Sequence, residues 1–122
     1  MTPEEQRIAL AEWAGWKYSP AANSSIKHEA IMAWYRPGNS PWHLEQLPDY
    51  PNDINAVHEL IHRLPSGLRE VTFISKLAKV CGFDPQGENA WDRLHAGRFA
   101  VVNATATQRC EALLKTLNLW KP

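Results

Sequence analysis

Apolar positions follow a helical period over four stretches of the chain and a strand-like pattern over three shorter ones. The first helical stretch covers residues 3–14, with Ile8, Ala9, Ala11 and Trp13 supplying apolar faces. Thr2 suits the N-cap, Pro3 the first helical position and Glu5 a capping box, and Gly15 stops the helix. A second helix is predicted over residues 51–64, where Ile54, Val57, Leu60, Ile61 and Leu64 share a core face. Pro65-Ser66-Gly67 breaks it. A third follows over 68–81, with Leu68, Val71, Ile74, Leu77, Ala78 and Cys81 in period and Gly82 at the C-terminal cap. The patch Val71-Thr72-Phe73-Ile74 also carries strand propensity, which leaves a strand open there. The last helix, 106–118, buries Cys110, Leu113, Leu114 and Leu117 behind a second capping box of Thr105 and Gln108.

Residues 30–36 read as a mostly buried strand, followed by the turn Pro37-Gly38-Asn39-Ser40. Trp42, Leu44 and Gln46 suit a returning strand, with Pro41 favouring an edge. Arg98-Phe99-Ala100-Val101-Val102 reads as a third strand. Ser19–Ser25 is a polar linker, and 83–96 is irregular. The expected fold class is therefore α+β: a small antiparallel or mixed sheet of about three strands packed with four helices in a sandwich. At 122 residues, one globular domain spanning 1–122 is expected.

Composition narrows the function classes. Thirteen basic residues balance thirteen acidic ones, so the footprint of a non-specific nucleic-acid binder is missing. No apolar run reaches the roughly 20 residues that cross a bilayer. Acidic Glu4 and Glu5 stand where a secretory signal is basic. The expectation is a cytoplasmic protein with no membrane partner. Cys81 and Cys110 then read as reduced core thiols, with a single disulfide as the alternative. Six tryptophans are unusual for this length, and their dispersal argues against a repeat. Each combines a large apolar area with one N–H, a mixture favoured in cores and at binding hot spots.

One string names a chemistry. His58-Glu59-Leu60-Ile61-His62 has the HExxH pattern, in which histidines four apart on a helix ligate Zn²⁺ and the Glu acts as general base. The extended HExxHxxGxxH pattern fails, because position 65 is Pro and position 68 is Leu. Arg63 stands where zinc peptidases usually carry an uncharged residue. Glu88 with Asp92 has the ExxxD spacing of a third-ligand helix, but Gly87 argues against a long helix there; Glu70 and His95 are conceivable third ligands without motif support. Helical projection puts His58 and His62 at the border of the apolar arc, a usual place for structural histidines. The preferred reading is no metal and no cofactor. The alternatives are a small zinc-dependent hydrolase with His58 and His62 as ligands and Glu59 as base, and a non-catalytic surface metal site made by the same histidine pair.

No glycine-rich phosphate loop and no CxxC pair occurs. Ser24 and Ser25 near His28 are weak evidence for a nucleophile. Asp49, Asn52, Asp53 and Glu59 gather where the second helix starts, as helix capping requires. Arg109 reads as a solvated or salt-bridged side chain.

Three segments carry a family resemblance. They are Met1-Thr2-Pro3-Glu4-Glu5-Gln6-Arg7-Ile8-Ala9 with Gly15-Trp16-Lys17, Leu47-Pro48-Asp49-Tyr50 with Asn52 to Glu59, and Ala104 to Leu114 with Leu119-Trp120. Together they resemble small tailed-phage and prophage proteins of the phage ABA sandwich domain family. The likeness covers roughly half of the chain and none of 66–97. It implies a sheet between helical layers and a phage-encoded protein acting in the host bacterial cytoplasm. It implies no catalytic residues.

The expected function is accordingly non-catalytic binding that antagonises host antiviral defence. The partner would be a small nucleotide signal or a host defence protein, with a homo-oligomer also open. Trp34, Trp42 and Trp91 are candidate stacking residues, and Arg36 and Arg98 candidate anion contacts. A structural phage protein without a ligand is the further alternative.

Overall fold

A computed structural model describes residues 1–20, 32–38, 46–83, 98 and 101–122. Its elements are α1 (Pro3–Trp13), β1 (Lys17–Pro20), β2 (Met32–Tyr35), α2 (Ile54–Ile61), a wide π-helical turn (Leu68–Phe73) running into α3 (Ile74–Val80), and α4 (Ala106–Thr116). The class is α+β. Among the described residues the sheet has two antiparallel strands, with Lys17 opposite Tyr35 and Tyr18 opposite Trp34.

Both predicted capping boxes form. The Thr2 hydroxyl accepts from the Glu5 amide at 3.1 Å, and the Glu5 carboxylate accepts from the Thr2 amide at 2.9 Å. Thr105 and Gln108 repeat the exchange at 3.2 and 2.9 Å. Each satisfies two amides that a helix start leaves unpaired. Asp53 caps α2 by accepting from the Asn55 and Ala56 amides, as expected of the acidic group at that helix start.

Three helices end alike. The residue after the C-cap is Gly15, Gly82 or Asn118, each at positive φ. The amide beyond it (Trp16, Phe83, Leu119) donates five residues back, to the Ala11, Ala78 and Leu114 carbonyls. This is the Schellman closure, and it folds the chain back over the helix it has just left.

One core cluster joins the helices: Leu10 and Ala11 of α1, Val57, Leu60 and Ile61 of α2, Phe73, Leu77 and Ala78, and Cys110, Leu113 and Leu114 of α4. α4 touches α1, α2 and α3, and packs most extensively on α3. Arg7 reaches across from α1 and donates to the Pro48 and Leu47 carbonyls at 3.3 and 2.7 Å. Thr107 holds the same segment from α4 by donating to the Pro51 carbonyl at 2.8 Å. These bonds set the position of Tyr50, which is buried between them.

Several expectations are corrected. Residues 98 and 101–103 are helical, which overturns the strand expected over 98–102 at 98, 101 and 102; residues 99 and 100 lie outside the described residues. Val101 and Val102 are exposed, and without a sheet to join their β propensity has nothing to pack against. The strand that pairs with β2 is β1, from a stretch read as flank and linker. Gln46 lies outside any strand, and the rest of the expected returning strand lies outside the described residues. The 68–81 segment is helical, with its first part widened, and this breaks the expected face: Val71 is exposed and Phe73 is buried in its place. Ile54, at the start of α2, is also exposed. Arg109 is buried, not solvated. It donates to the Ala104 and Val101 carbonyls at 3.3 and 2.5 Å and so straps the short helical segment onto α4. Cys81 and Cys110 are free thiols. Burial pushes Cys110 up to about 12.

Candidate functional site

The hairpin gathers aromatic and cationic side chains on one face. Strand alternation puts Tyr18 and Trp34 on the same side, and the cross-strand register sets them opposite each other. Their rings lie 5.0 Å apart with a 36° tilt. Trp34 is half-buried against the core, while Tyr18 is 54% exposed. One step further along the same face, Arg36 lies over Trp16 with its guanidinium carbon 5.7 Å from the ring centroid. This is cation–π range.

Behind that pair is a small polar cleft of about 70 Å³, lined by Trp16, Arg36, Tyr50, Glu59 and Arg63 among others. The Trp16 indole N–H donates to the Tyr50 hydroxyl. Burial raises the Tyr50 hydroxyl above its ordinary value, and the nearby Arg63 charge opposes this. Arg63 is itself anchored, donating to the Ala14 carbonyl at 3.2 Å. Two guanidiniums thus face one carboxylate at the edge of the aromatic pair. On the other side of Trp34 an open recess of about 410 Å³ is lined by Glu4, Arg7, Ala33, Trp34, Gln46 and Leu47.

Of the five expected contacts, Trp34 and Arg36 come together on this face. Arg98 is helical and exposed. Trp42 and Trp91 lie outside the described residues, as do Ser24, Ser25 and His28. Sequence reading missed Trp16, Tyr18 and Arg63. The alternation Trp16-x-Tyr18 directly after Gly15 was a signal for the first two; for Arg63, only the fold brings α2 beside the hairpin.

His58 and His62 sit on the outer side of α2, both exposed, with ring centroids 4.4 Å apart. Shielding from water lowers His58, and the neighbouring His62 and Arg109 act in the same direction. Among the described residues no third His, Cys, Asp or Glu joins the pair. Glu70 therefore does not complete a ligand set, and Glu88, Asp92 and His95 lie outside the described residues. A catalytic zinc takes three protein ligands, and the described residues supply two.

A recess of about 690 Å³ lies apart from all of this, between α1 and the C-terminal segment. Ile8, Ala9, Trp13 and Leu119 give it an apolar lining. Two of its polar groups are already engaged: Glu5 in the capping box, and the Met1 ammonium with the Lys121 carbonyl at 3.0 Å. The hairpin face therefore has more recognition chemistry than the larger recess.

No described helix is long and apolar enough to cross a membrane. Compared with known proteins, the chain matches no family model, no curated protein and no solved structure.

Proposed function

We propose that this is a phage accessory protein that antagonises host antiviral defence in the bacterial cytoplasm by binding a nucleotide immune signal without catalysis. The observation that carries the binding mode is the stripe formed by Tyr18 with Trp34 and by Trp16 with Arg36. Neighbouring pairs on one strand face are spaced by about 6.5 Å. A base laid on the outer ring of Tyr18 therefore has its phosphate side near Arg36 and the cleft that Arg63 borders. Stacking tolerates every base, and the guanidiniums favour the anionic end. The phage setting rests on the three segments that resemble the phage ABA sandwich domain.

Equilibrium dialysis against mononucleotides, cyclic dinucleotides and cyclic trinucleotides tests the reading. At least one class is expected to be retained, and Tyr18→Ala should weaken it by roughly tenfold or more, the scale of one lost base stack. In cells, expression should restore phage plating on a host whose defence is nucleotide-signalled, and Tyr18→Ala should reduce that rescue. No retained nucleotide together with no rescue would end the proposal.

A further inference from the structure

The HExxH string supports a different chemistry from the hydrolase its pattern names. We propose that His58 and His62 form a two-histidine surface chelate for a borderline divalent transition cation such as Cu²⁺, Ni²⁺ or Zn²⁺, independent of the hairpin face. The pair lies one turn apart at the end of α2, His62 being its C-cap. Both side chains are exposed, so a cation can arrive from solvent and water can complete its coordination. With centroids 4.4 Å apart, the two rings are close enough for one ion to touch both at the Zn–N length of about 2.0–2.1 Å.

The tautomer is also set. His62 Nδ1 lies 3.0 Å from the His58 carbonyl oxygen. That oxygen can only accept, so Nδ1 carries the proton, and the Nε2 lone pair is left for a metal. A backbone carbonyl holding the second ring nitrogen is the usual support of a ligating histidine. Imidazole nitrogens select borderline transition ions over Mg²⁺ and Ca²⁺, which require oxygen. Glu59 is not a ligand in this arrangement: it borders the cleft with Tyr50 and Arg63.

Calorimetric titration of the tag-free protein tests the assignment. One equivalent of metal is expected, with Cu²⁺ bound more tightly than Ni²⁺ or Zn²⁺ and no binding of Mg²⁺. His58→Ala and His62→Ala should each weaken binding at least tenfold, and Glu59→Gln should leave it within twofold. Saturating Ni²⁺ should raise Tm by about 5 °C in the wild type and not in the histidine variants, because only the folded turn presents both nitrogens. Both histidines are exposed, so the variants test the site without disturbing the core. Histidine variants that bind as tightly as wild type would overturn the proposal. A tenfold loss in Glu59→Gln would overturn the two-ligand site in favour of a three-ligand one.

Discussion

The α3–α4 pair and the β1–β2 hairpin use large side chains in opposite ways. On the helices Leu77, Cys110, Leu113 and Leu114 are wholly buried, and the elements are closed by caps at both ends of α4. The hairpin has four paired positions, keeps Tyr18 in solvent, and buries the Tyr35 hydroxyl without a hydrogen-bond partner among the described residues. Stability is therefore concentrated in the helices, and recognition chemistry in the part that contributes least to the core.

The sharpest test of that division is Leu113→Ala, which should cost about 2–5 kcal/mol in chemical denaturation through lost burial and a cavity. Its ligand affinity, measured where the variant is still folded, should be unchanged.

High pH probes the same core. The Cys110 thiol ionises near 12 when folded and near 9.0 when unfolded. Between these values the unfolded chain has lost the proton that the folded chain keeps. The Cys110 contribution to stability should thus be steady below pH 9 and fall above it by up to about 1.4 kcal/mol per pH unit. Cys110→Ala should reduce that slope, leaving the part owed to Cys81 and Tyr50, which burial also raises; an unchanged slope would place its origin elsewhere.

Thr105→Ala, which removes one half of the α4 capping box, should lower stability by about 1 kcal/mol in thermal melts. Tyr18→Ala should change stability least, by no more than about 0.5 kcal/mol, while showing the largest loss of ligand affinity. A larger destabilisation would mean that the hairpin supports the core after all, and the contrast between the two regions would fail.

The sequence was most readable where one short-range mechanism decides the outcome. Thr2 with Glu5, Thr105 with Gln108, and Gly82 after Cys81 each specify a helix end by local hydrogen bonding. Reading failed where the outcome depends on a distant partner. Lys17-Tyr18-Ser19-Pro20 has no apolar run, and β2 makes it a strand. Val101 and Val102 have strand propensity, and the buried Arg109 guanidinium ties down the helical turn they occupy. Val71 and Phe73 exchange roles because the π turn breaks the period. The site divides likewise: Trp34 and Arg36 stood out by type within a legible strand, whereas Arg63 acquires meaning only when α2 packs beside the hairpin.

The contact between α1 and α4 has a consequence for biosynthesis. α1 is synthesised well before α4, which makes one of the surfaces that bury Leu10 and Ala11. Until then the first helix has an uncovered apolar face and no complete core to join. Folding must largely wait for α4, with the loop-closure cost of joining it to α1 falling late. A ribosome that stalls before α4 leaves a chain with exposed apolar surface, the kind of species that chaperones and proteases remove.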